Sequence, residues 1–103
     1  MNIKRLRLEP SERADNILAA AVAVALREGF RGITRDQVAA EANSSVGLIY
    51  TYYRSMDSLR DEVMRVAVRD KHLAIVAQGV ASGNVVAARA PAELRRAALQ
   101  TLA

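Results

Sequence analysis

Apolar residues recur along the first third of the chain at the spacing of a helix. Ile17, Ala21, Val24 and Ala25 fall on one helical face, with Leu18 and Val22 beside it. Upstream, Glu9-Pro-Ser-Glu12 reads as a helix start: Pro10 suits a first turn, and the two glutamates suit the positive end of the helix dipole. Gly29 suits the left-handed residue after a helix, with Phe30 folding back as its hydrophobic contact. A helix is therefore predicted over residues 11–28. Thr34 caps a second, over 35–42, with Val38 and Ala42 four apart. Asn43 tolerates the backbone of a sharp turn. Ser45 caps a third helix over 46–53, in which Ile49 and Tyr53 share a face.

Beyond Ser55 the same period continues. Leu59, Val63, Val66, Asp70, Leu73 and Ala77 are spaced 4, 3, 4, 3 and 4 apart. They predict one long fourth helix, capped by Ser55 and ended by Gly79, Gly83 and Asn84. Residues 80–89 show no decisive period. Pro91 opens a last short helix, in which Leu94, Ala98 and Leu102 line up. The fold class is all-α: a three-helix head, a long helix 4 and a short C-terminal helix. The organisation expected is a basic arm over 1–10, a head over 11–55 and a dimerising tail over 56–103.

Composition agrees with packed helices. The chain has 103 residues, 51% apolar but only 4% aromatic, with alanine dominant. It has no cysteine, which excludes disulfides and thiolate metal sites. The longest apolar run, Ile17 to Leu26, is too short to span a bilayer, and no secretory leader is legible at the start. A cytoplasmic protein with no membrane role is the expectation. The net charge of +4 and pI of about 10.1 suit a polyanionic partner without specifying one. The charge is not segregated by halves. It is concentrated only in the arm, where Lys4, Arg5 and Arg7 precede any acid.

Residues 34–53 combine a helix, a tight turn and a helix of about two turns, the proportion of a helix-turn-helix. Such a unit lets the start of its second helix meet base edges in the major groove of duplex DNA. The spelling is more specific than the proportion. Ile17-Leu18-Ala-Ala-Ala21, Gly29-Phe30, Thr34, Val38-Ala39, Ala42 and Ser45-Val-Gly47-Leu-Ile49-Tyr50-Thr-Tyr-Tyr53-Arg-Ser55 resemble the DNA-binding head of the TetR family. The register holds without a gap from Ile17 to Leu59.

The resemblance implies that Ile49 and Tyr53 are core residues. It also implies that Thr34, Ser44, Ser45, Val46, Gly47, Tyr50, Thr51 and Tyr52 face double-stranded DNA. These residue types suit such roles. Thr34 and Ser45 cap helices whose N-termini favour phosphates. Gly47 permits close backbone approach. Val46, Leu48 and Thr51 can meet thymine methyls. Tyr50 and Tyr52 can donate hydroxyls to phosphates, Arg35 and Arg54 can add cationic contacts, and the arm with Lys4, Arg5 and Arg7 can enter the minor groove. The chain departs from the family pattern in places. Asn43 stands where glycine is usual, Ser44 where valine is frequent, and Ala25 where phenylalanine is usual. Met56 and Val46 stand where lysine is common. The second helix of the motif is therefore uncharged, which shifts recognition toward apolar contact, shape and water.

The family usually carries a helical effector and dimerisation domain, and 48 residues follow Ser55 here. A tail of that size argues against a small-molecule effector. It suits a homodimer seam of Val66, Leu73, Val76, Ala77, Leu94 and Leu102, with Asp70 as its awkward member. The blander reading of that stripe is packing within one chain, and of the arm a solvated tail. His72 is the lone histidine, and no metal site, cofactor site or catalytic set is legible, so an enzyme is not expected. The function expected is a sequence-specific DNA-binding regulator, a homodimeric repressor on a palindromic operator. The alternative is an antagonist that forms heterodimers with a full-length relative.

Overall fold

The computed structural model describes residues 10–102, so the arm with Lys4, Arg5 and Arg7 lies outside the described residues. Helix α1 spans Pro10–Glu28. It buries Ile17, Ala21, Val24 and Ala25, the face anticipated from the spacing. Gly29 ends it at φ 92°, with its N–H donating to the Ala25 carbonyl at 2.8 Å. The following 3-10 turn, Phe30–Gly32, places the Phe30 ring in the core.

Helices α2, Arg35–Glu41, and α3, Val46–Tyr52, are joined by a turn at Asn43, whose φ is 54°. The Ser44 N–H donates back to the Ala39 carbonyl at 2.8 Å, closing the end of α2. Asparagine is among the few residues other than glycine that adopt this backbone readily. Two ties hold the pair against α1. Asn16 donates to the Ala42 carbonyl at 3.3 Å, and Arg27 pairs with Glu41 at 3.0 Å. The ion pair is solvent-screened, so it orients more than it stabilises.

Helix α4 covers Met56–Asp70, α5 Leu73–Ala81, α6 Val85–Ala88 and α7 Ala92–Gln100. No strand occurs among the described residues. The uninterrupted stripe from Leu59 to Ala77 is thus divided between two helices. Lys71 stops α4 in the left-handed region at φ 59°, and the His72 N–H returns to the Ala67 carbonyl at 2.9 Å. A non-glycine residue there costs about 1 kcal/mol. Turning back buries Ile75, Val76 and Ala77 completely or almost so. Two such branched side chains return about 3–5 kcal/mol by area, so the reversal prevails. A continuous helix would have carried Val76 about 9 Å beyond Asp70.

The reversal corrects the expected dimer seam. Val76 and Ala77 belong to the core of their own chain, and Leu73 leans on it. Asp70 is exposed and pairs with its neighbour Arg69 at 2.8 Å. That hydrogen bond holds the Asp70 carboxyl below its ordinary range.

Gly79 does not end a helix, as its position suggested. It lies inside α5 where that helix crosses α4 and α6, and a Cβ there would sit 2.2 Å from Met64 Cε and 2.9 Å from Ala87 Cβ. Gly83, at φ 79°, makes the turn instead, and Asn84 caps α6 by accepting from the Ala87 N–H at 3.0 Å.

Head and tail share their interior. One cluster of buried side chains runs from Ile17 through Ile49 and Leu59 to Ala98. Two polar ties cross the same junction: Phe30 N–H donates to the Gln78 side-chain oxygen, and Arg60 donates to the Ile33 carbonyl at 3.1 Å.

Candidate nucleic-acid interface

Helix α3 is two turns long, too short to persist alone in water. Its orientation is imposed from one side. Ile49 is fully buried, and Tyr52 and Tyr53 pack against the core from the C-terminal end. Burial, reinforced by the charges of Glu62 and Asp15, raises the Tyr53 phenol above its ordinary pKa of 10.0. With that face committed, the opposite face turns outward. Val46 is 41% exposed and Tyr50 55%, and Ser45, Gly47 and Thr51 are exposed with them. Leu48 and Ser44 are half-buried at its edges.

The caps form where the sequence placed them. Ser45 accepts from the Leu48 N–H at 3.1 Å, and Thr34 accepts from the Gln37 N–H at 3.2 Å. The Thr34 hydroxyl also donates to the Gln37 side-chain oxygen at 3.0 Å. Thr51 donates to the Gly47 carbonyl at 3.0 Å, so its hydroxyl proton is engaged within the helix.

Nothing among the described residues requires a glycine at Gly47. An added Cβ would meet only Ser45 Oγ, at 3.9 Å. A helical glycine costs up to about 1 kcal/mol relative to alanine. The space above this turn is open, as close approach to the backbone requires.

The cations around α3 sit beside it rather than on it. Arg54 is exposed. Arg35 is half-buried: it donates to the Arg54 carbonyl at 3.3 Å, and its guanidinium carbon stands 4.7 Å from the Tyr50 ring centre. Arg60 went unnoticed in the sequence. With Thr34, Arg35, Val46 and Met56 it lines a shallow groove where the starts of α2, α3 and α4 converge. The available signal was its place one helical turn after Met56, the position where lysine is common. Met56 itself packs against the core. Tyr52, expected on the outer face, is shared between that face and the core, so Tyr50 is the more exposed aromatic.

The arrangement is a helix-turn-helix: a two-turn helix held by its inner face, small or aromatic on its outer face, with arginines at its margins. Residues 17–63 match the family of bacterial regulatory proteins, tetR family. That segment is similar to the head of the family, which implies a DNA-binding transcription regulator. The family is one of regulators, not enzymes. Comparisons with curated proteins and with solved structures returned no match. Among the described residues, no helix is long and apolar enough to cross a membrane.

Proposed function

We propose that the chain is a homodimeric repressor that occupies a palindromic operator. Ser45, Val46, Gly47, Tyr50 and Thr51 meet the major groove, with Leu48 and Tyr52 at the margin. Thr34, Ser44, Arg54 and Arg60 lie toward the backbone. The observation that carries this reading is the open space at Gly47 on the exposed face of α3. Lys4, Arg5 and Arg7 add counterion-releasing contacts from the arm.

The dimer surface is redrawn from the buried stripe to the outside of α7. Leu102 is 56% exposed and Leu99 43%, with Leu94 half-buried nearby and Val66 half-buried on α4. A polar substitution at Leu73 would injure the chain's own core, so the substitution that tests the dimer is Leu102→Asp. The surface grooves among the described residues are open rather than enclosed, which favours regulation without a small-molecule effector.

Selection of bound DNA from a random pool tests the reading. It should recover a two-fold symmetric motif with half-sites about 34–36 Å apart or a multiple of that. A pool that never enriches, from a chain that captures only a full-length regulator, would sink the repressor reading and favour the heterodimeric antagonist.

A further inference from the structure

We infer that Arg35 is a positioning residue for recognition, bracing Tyr50 from inside the protein instead of pairing with a DNA phosphate. This rests on the DNA-binding reading of the α3 face and deepens it.

Three observations converge on one side chain. The guanidinium carbon lies 4.7 Å from the centre of the Tyr50 ring, within the roughly 6 Å over which a cation is drawn to an aromatic face. Nη2 donates to the Arg54 carbonyl at 3.3 Å, at the junction of α3 and α4. Nε is shut off from solvent and has no hydrogen-bond partner among the described residues. A guanidinium reaching for a phosphate would present its N–H groups to water, since five donors in a rigid fork are its means of binding anions. Arg35 turns one edge inward, sets its guanidinium carbon over the Tyr50 ring and hooks the next turn of chain.

The consequence falls on Tyr50. That residue is more than half exposed, and a free surface tyrosine samples several rotamers. Residues 44–53 contain no charged side chain, so discrimination leans on shape and apolar contact, which a wandering ring cannot provide. Arg35 comes from the first position of α2 and Tyr50 from the middle of α3. The stack therefore also sets the distance between the two helices at the end that meets DNA. Lysine cannot substitute, because a compact ammonium lacks the planar fork that stacks and donates at once.

Two measurements on the full chain test this. The first uses no DNA. In NMR spectra of the free protein, the Arg35 side-chain protons should be displaced by the Tyr50 ring current. The Arg35 Nε proton should also exchange more slowly than that of Arg54. Tyr50→Leu should abolish the displacement. Arg35 resonances matching those of Arg54 would overturn the brace, whatever the DNA result.

The second uses the duplex recovered from the random pool. Arg35→Lys and Arg35→Met should both weaken binding about tenfold and flatten discrimination against single-base changes. The salt dependence should stay unchanged, and neither substitution should add to the loss in a Tyr50→Ala background. A phosphate contact behaves differently: Arg35→Lys would bind as wild type, and Arg35→Met would lower the salt slope by about 1. That result would overturn the proposal. Matching melting temperatures for wild type and Arg35→Lys exclude a folding defect as the cause. If no duplex is recovered, the regulator reading fails and the role in recognition fails with it, while the ring-current result stands separately.

Discussion

Gly47, in the first turn of α3, and Gly79, near the end of α5, are both helical glycines, yet a methyl group added at each meets different surroundings. At Gly79 it would strike Met64 and Ala87, side chains of two other helices. At Gly47 it would touch nothing but the neighbouring Ser45 hydroxyl, at ordinary contact distance. Each glycine gives up helix propensity. The tail recovers it by letting three helices cross closely. At the head, no described residue occupies the space that the missing side chain leaves. The open space is what the proposed recognition face uses, whereas the same residue in a crowded crossing belongs to the core. Position on a helix does not separate the two cases, but the surrounding volume does.

The comparison can be broken in three ways. The largest effect is expected at the crossing. Gly79→Val should lower the unfolding free energy by about 3 kcal/mol, the upper part of the range for overpacked cores. Urea titration followed by circular dichroism would measure it, and Met64→Ala in the same chain should recover part of the loss. If Gly79→Val is neutral, the crossing is looser than described.

Next comes the head. Gly47→Glu should leave the melting temperature within a degree or two, yet weaken binding to the selected duplex at least a hundredfold, about 2.7 kcal/mol. Tyr50→Ala should follow the same pattern. A gel shift showing normal binding by both variants would place the recognition face elsewhere.

The smallest effect sharpens the contrast between folding and recognition at one residue. Ser45→Ala removes the cap of α3 and should cost about 1 kcal/mol of stability. The cap also stands on the proposed recognition face. Binding by Ser45→Ala should therefore weaken even at temperatures where the variant is fully folded, whereas Ser55→Ala, which removes the equivalent cap of α4, should affect stability alone. Equal binding losses in the two variants would show that fraying, not contact, is responsible.

The head was readable because its signals are local. A capping serine or threonine, a glycine at φ 92° and an asparagine at φ 54° sit next to the helices they bound, and their chemistry acts over one turn. The apolar spacing of Ile17, Val24 and Ile49 then assigns the inward face. Two features of the head escaped. Arg35 reads in the sequence as a cationic contact to DNA, because its approach to Tyr50 joins residues 15 positions apart on different helices. Arg60 looked like an ordinary helix cation until the groove beside Thr34 placed it among the candidate contacts.

The tail was readable only as a pattern. The spacing from Leu59 to Ala77 is that of one helix, and nothing in Arg69-Asp70-Lys71-His72 announces a stop. Lys71 enters the left-handed region because the turn lets Ile75 and Val76 reach the core, a gain that exists only once α4 and α7 are in place. Propensity is a property of a few neighbouring residues, worth tenths of a kcal/mol each, and it decided the caps and the turn. Burial is a property of residues brought together from afar, worth several kcal/mol at a time. It decided where the long stripe breaks, why Gly79 is a glycine, and that Val76 and Ala77 of the expected dimer seam lie inside their own chain.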